Sequence, residues 1–144
     1  MAATCNNKTR ESFNFIYVVR LSLPVLWAGI ICWLSLTSSP LKIPGLLGWD
    51  KLLHAAAYAL LTILTAQYLH IFADSWKTAF YAGCTAILYG GLMEVLQLLL
   101  QRGRTAEWPD LVADIVGSIA GCVIFRQAAI SISKYHARRN EHHG

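Results

Sequence analysis

Between Leu21 and Leu41 the chain carries no charged residue, and it contains three further runs of nearly the same kind. A helix crossing a hydrocarbon layer of ~30 Å needs about 20 predominantly apolar residues. Leu52 to Ala73 has only His54 and His70 as titratable groups, and Thr78 to Gln101 has the single charge Glu94. The fourth run starts near Pro109, contains Asp114 and meets Arg126 after about 16 residues, or ~24–26 Å of helix. It spans a membrane if Arg126 snorkels to the interface. The expected fold class is therefore all-α, a membrane-spanning four-helix bundle with short loops.

Composition agrees. Of the 144 residues 56% are hydrophobic and 14% charged, against about 25% charged in ordinary globular chains. Such a chain cannot cover a soluble surface, and it is too apolar to be disordered. Its net charge of +4 is no argument for nucleic acid, because the basic residues are distributed as membrane-orientation signals. Cys5, Cys32, Cys84 and Cys122 form no C-x-x-C pair and read as packing residues. The first run could be a signal peptide, but Ser35-Leu36-Thr37 is a poor A-x-A site, so an uncleaved helix is expected. The organisation reads as an N-terminal tail over 1–14, a helical membrane domain over 15–133, and a polar, frayed basic tail over 134–144.

Basic residues set the orientation. With the N-terminus in the cytoplasm, Lys8, Arg10, Arg20, Lys77, Arg126, Lys134, Arg138 and Arg139 lie inside, and Lys42, Lys51, Arg102 and Arg104 outside. That excess favours both termini in the cytoplasm of a bacterial inner membrane. Trp49 and Trp108 then sit at the outer interface and Trp76 at the inner one. Reporter fusions after Lys77 and after Gly144 should both read as cytoplasmic; a periplasmic C-terminus would reverse the assignment.

On that topology the costly polar groups gather at the outer end. Asp50 and His54 open the second helix, Glu94 and Gln97 lie in the outer third of the third, and Arg104 and Glu107 are in the loop that follows. Asp110 and Asp114 open the fourth helix. Ionisable groups at membrane depth usually face a bundle interior or a watery cavity. At 100° per residue, Asp50 and His54 share a face. Gly83, Gly90, Glu94, Gln97 and Gln101 fall in a stripe about 60° wide, and so do Asp110, Asp114, Gly117 and Gly121. Gly117 and Gly121 form G-x-x-x-G, a close-packing pattern. Asp50 also suits a helix N-cap, Glu107 a helix N-terminus, and Lys51, Gln101 and Arg102 interfacial solvation. Asp110 and Asp114, four apart, need a cation, Arg104 or a proton to relieve their repulsion. Glu94 needs Arg104 or a proton. Five acids (Asp50, Glu94, Glu107, Asp110, Asp114) face three bases (Lys51, Arg102, Arg104), a net −2 with His54 neutral. Protonation or a bound cation would close that gap, and the residues do not choose between them. His54 is expected within reach of Glu94 or Asp114.

These motifs resemble the VanZ-like family. The matching elements are D-K-L-L-H at Asp50 to His54, E-V-L-Q at Glu94 to Gln97, and R-T-A-E-W-P-D-L-V-A-D-I-V-G at Arg104 to Gly117, followed by Gly121. They cover about 75 residues in matching order and spacing. The family usually places Asn where this chain has Asp114, so a carboxylate is added there. The resemblance implies a small polytopic membrane protein whose functional positions are Asp50, His54, Glu94, Gln97, Arg104, Asp110 and Asp114. The family's namesake is associated with resistance to the glycopeptide teicoplanin.

Three functions compete. In the first, the outer cluster binds or modifies an anionic envelope lipid or lipid-like amphiphile. Arg104 grips the head group through paired N–H donors, with Gln97, Asp110 and Asp114 as further ligand-binding residues. In the second, a lipid-active enzyme uses His54 as acid/base, Asp50 as its orienter and Glu94 as a second acid/base. A hard cation on Asp110, Asp114, Glu94 and His54 is a variant of that scheme. In the third, the polar ring only locks the helices together. Proton or ion transport is weaker, because the charged groups stop in the outer half.

Overall fold

The computed structural model describes residues 2–37, 47–71, 75–100 and 108–141. They form four helices: α1 (Ala2–Leu36), α2 (Leu47–Leu69), α3 (Ser75–Leu100) and α4 (Trp108–Glu141). No strand occurs among the described residues. Each helix contains a stretch long and apolar enough to cross a membrane, with Ile16–Leu36 as the stretch in α1. The chain is an integral membrane protein built as a four-helix bundle. In hydrocarbon, backbone polar groups must be satisfied internally, which these helices do.

Two helices are longer than their apolar runs. α1 begins at Ala2, inside the segment expected as a tail, and α4 runs on past Arg126 to Glu141. The segment from Lys134, expected as a frayed tail, continues α4 to Glu141. No Gly or Pro follows Gly121 until the terminal Gly144, and Arg138 and Arg139 in the last turn favour the helix dipole. Arg126 lies over the Trp76 ring, with its guanidinium carbon 4.7 Å from the ring centroid. Trp108 and Arg126 are 18 residues apart, about 27 Å of helix, close to the ~30 Å thickness of a hydrocarbon layer.

α2 and α4 are the parallel, most intimately packed pair. Their contact is possible because Gly117 and Gly121 present no side chain to α2. A Cβ on Gly117 would collide with the Ala55 carbonyl, and one on Gly121 would stand 2.6 Å from the Ala59 oxygen. α3 fits against α4 by the same device: Gly83 receives the Cys122 sulfur and Gly90 the Asp114 carboxylate. The core between helices is small and dense, with Ala66, Ala82, Thr62, Thr78 and Ser118 fully buried. Thr62 and Ser118 turn their hydroxyls onto the carbonyls of Tyr58 and Asp114, four residues back. Large apolar side chains such as Leu88, Leu99, Val116 and Ile119 point outward, as a lipid-facing surface requires.

α1 is the outer helix. It packs on α2 and α3 and makes no contact with α4 among the described residues. Hydrogen bonds that seat it include Trp27 Nε1–H donating to the Ala57 carbonyl (2.9 Å), Tyr89 O–H to the Ala28 carbonyl (2.7 Å), and the Gln97 amide to the Ser35 carbonyl (3.1 Å).

Candidate functional site

The N-termini of α2 and α4 lie side by side, because the glycine contacts fix these helices parallel and in register. That register sets the polar residues opposite one another. Lys51 Nζ donates to Asp110 Oδ1 at 2.7 Å, and one turn deeper His54 Nδ1 meets Asp114 Oδ1 at 3.0 Å. Their sequence offsets, 59 and 60, show one continuous alignment. Pro109 suits the first turn of α4, where its missing N–H costs nothing, and Asp110 follows it against the positive helix end. Asp50 lies within the first turn of α2 and not before it, so it acts on the dipole and not as the expected N-cap.

Asp114 is 1% exposed and Asp110 7%. Both carboxylates are satisfied by α2, which answers the repulsion expected of two acids four residues apart: Lys51 takes Asp110 and His54 takes Asp114. Lys51, read from sequence as an interfacial solvated residue, is an internal partner. With the acid ionised, His54 Nδ1–H donates to Asp114 and Nε2 is left facing Asp110 Oδ2 across 4.0 Å. The carboxylate at hydrogen-bond distance from His54 Nδ1 is that of Asp114. Asp50 is exposed at the mouth of the cluster. It, His54 and Asp110 each offer a ligand atom within 4.8 Å of the others.

The remaining expected residues divide. Glu94 is half-buried on α3, within electrostatic reach of the Tyr58 hydroxyl. Gln97 is buried and turned to α1, where its amide caps a last-turn carbonyl that has no partner within its own helix. A glutamine at membrane depth thus has a structural task. Arg104, together with Glu107, Gln101 and Arg102, lies outside the described residues, so the expected Glu94–Arg104 contact does as well.

Sequence reasoning missed Tyr58. It is 2% exposed, and its ring edge and the Asp114 carboxylate both line the space that a Cβ on Gly90 would fill. The signal was present in the spacing. Asp50, His54, Tyr58 and Thr62 recur every four residues along α2 and form one stripe. Among the described residues no buried side-chain nitrogen or oxygen lacks a hydrogen bond, which is what a polar cluster in an apolar solvent demands.

The arrangement holds one imidazole nitrogen and several carboxylate oxygens at one end of a membrane bundle, backed by a buried acid. It can bind a polar or charged group from that end, or move a proton at His54 Nε2. No curated protein and no solved structure matches the chain. The family model for VanZ/LLP1 does match, over residues 4–131. That span takes in α2 and α3 whole, most of α1 and α4 and every residue of the cluster, and the chain belongs to the VanZ/LLP1 family.

Proposed function

We propose that the cluster is a receptor for the polar head of an anionic envelope lipid or lipid-like amphiphile, on the extracytoplasmic face of the bacterial inner membrane. The observation that carries this reading is the pairing of Lys51 with Asp110 and of His54 with Asp114 at one end of the bundle. Polar groups are held there beside an apolar exterior that acyl chains can lie against. Arg104 supplies the anion-binding fork, and the acids hold a cation or an amine of the same ligand. Glycopeptides act on that face, and a role in susceptibility to teicoplanin-type antibiotics fits this reading.

The test is lipid retention. The full chain is purified in mild detergent from membranes containing anionic lipid, and bound lipid is measured by native mass spectrometry. Arg104→Lys keeps the charge but loses the planar two-donor geometry, and retention should weaken by about 10- to 100-fold at unchanged protein levels. Equal retention by wild type and Arg104→Lys would defeat the proposal. The imidazole–carboxylate pair favours a second reading, in which His54 performs acid/base chemistry on the bound lipid. His54→Asn that still retains lipid but loses the envelope phenotype would select that reading over simple binding.

A further inference from the structure

Asp110 turns its second carboxylate oxygen toward the His54 ring. Its side chain is nine-tenths buried, and Lys51 Nζ meets Oδ1 at 2.7 Å. Oδ2 points at His54 Nε2 across 4.0 Å, too far for a hydrogen bond. Two lone-pair donors are thus aimed at a shared gap, with Asp50 as a third on its exposed side.

We propose that Asp50, His54 and Asp110 form a binding site for a divalent cation of the zinc and manganese type, with Asp114 as the residue that positions His54. The donor set is one imidazole nitrogen and two carboxylate oxygens. All-oxygen sites suit magnesium and calcium, whereas an imidazole donor suits the first-row transition ions and zinc. Bonds of about 2.0–2.2 Å set the donors of a tetrahedral ion about 3.4 Å apart, so the 4.0 Å gap closes by about half an ångström on binding. Asp50, exposed at the first turn of α2, has room to swing inward. A metal-bound histidine almost always gives its other ring N–H to a carboxylate, which fixes its tautomer and raises its basicity. Asp114 does this for His54 Nδ1 at 3.0 Å from inside the bundle. Charge points the same way. Asp50, Asp110 and Asp114 against Lys51 leave −2 with His54 neutral, the charge that one divalent ion cancels. Three protein ligands leave a coordination position open toward the membrane face, where an anionic head group oxygen can complete the shell. The inference deepens the lipid reading, but the cation site stands on its own geometry.

The experiment uses the full chain in nanodiscs of phosphatidylcholine, which offer no anionic lipid. His70, His136, His142 and His143 are replaced by Gln so that His54 is the one histidine left. Titration with zinc should show one site per chain. Asp114→Asn should weaken it by about 10–100-fold, and Asp110→Asn, which removes a ligand, should weaken it more. X-ray absorption at the zinc edge should show one imidazole among oxygen donors, a measurement that needs no further variant and decides the matter if Asp110→Asn does not fold. No zinc bound to the folded single-histidine protein, or bound zinc without an imidazole, overturns the proposal. A parallel sample in phosphatidylglycerol nanodiscs, with and without chelator, separates the two readings. Zinc bound at His54 without preference for the anionic lipid supports the cation site and defeats the lipid reading. Anionic lipid retained by a chain that binds no zinc does the reverse.

Discussion

Gly117→Val is expected to abolish the assembled bundle. The first atom it adds is driven onto the Ala55 carbonyl, a piece of helix backbone that cannot rotate aside. Relief requires α2 and α4 to separate, and that pair also aligns Lys51 with Asp110 and His54 with Asp114. Overpacking a dense core costs about 1–3 kcal/mol where side chains can yield, and here the obstacle is main chain, so the loss should lie at or beyond the top of that range. Membrane accumulation and the midpoint of denaturant unfolding in mild detergent measure it. Gly91→Ala is the matched control. It lies on a neighbouring helix with nothing within 4 Å of an added Cβ, and should be neutral or gain up to ~1 kcal/mol from helix propensity. Equal behaviour of the two variants would mean that α2 and α4 do not approach as described.

Asp114→Ala should be the most damaging single change within the polar cluster. It leaves the His54 ring, 15% exposed, with its Nδ1–H facing an empty space where an acceptor had been. An unsatisfied buried polar group costs about 1–3 kcal/mol. Asp114→Asn keeps an oxygen at that place and should hold most of the stability. Unfolding of both variants in the same detergent decides the point: if Ala and Asn behave alike, the hydrogen bond at 3.0 Å carries no stability and Asp114 acts through its charge alone.

The helices were legible because each depends on a run of residues and not on any one. Length and absence of charge located all four spans, and the 100° periodicity put Asp110, Asp114, Gly117 and Gly121 on one face. The pairing of helices was legible only through G-x-x-x-G, which says that something approaches closely but not what. Lys51 was misjudged for that reason. A lysine beside a membrane run ordinarily reaches water, and only the α2–α4 register brings Asp110 to it. The partner of Gln97 was hidden for a related one. A polar side chain at membrane depth suggests a ligand, but its partner here is a backbone carbonyl, and backbone carbonyls leave no trace in a sequence. Tyr58 escaped notice because an apolar run hides an aromatic ring that also carries a hydroxyl. The extension of α4 to Glu141 was missed because polarity was taken as a sign of fraying, whereas polar helices persist where no glycine or proline interrupts them.

The seating of α1 has a consequence for how the chain can diverge. At Ala28 and Ser35 the helix is gripped by its carbonyl oxygens, through donors that belong to α3. Every amino acid supplies a carbonyl, so these two contacts recognise the course of the α1 main chain, whereas Ile31 is held by its side chain in one buried cluster with residues of α2 and α3. Substitution scanning should then find the exposed positions of α1 permissive to exchange among apolar residues, with buried Ile31 and Trp27, which donates in the other direction, as intolerant positions. Part of what docks α1 is thus written in Tyr89 and Gln97, on a different helix, so the exposed positions of α1 can change while those contacts hold.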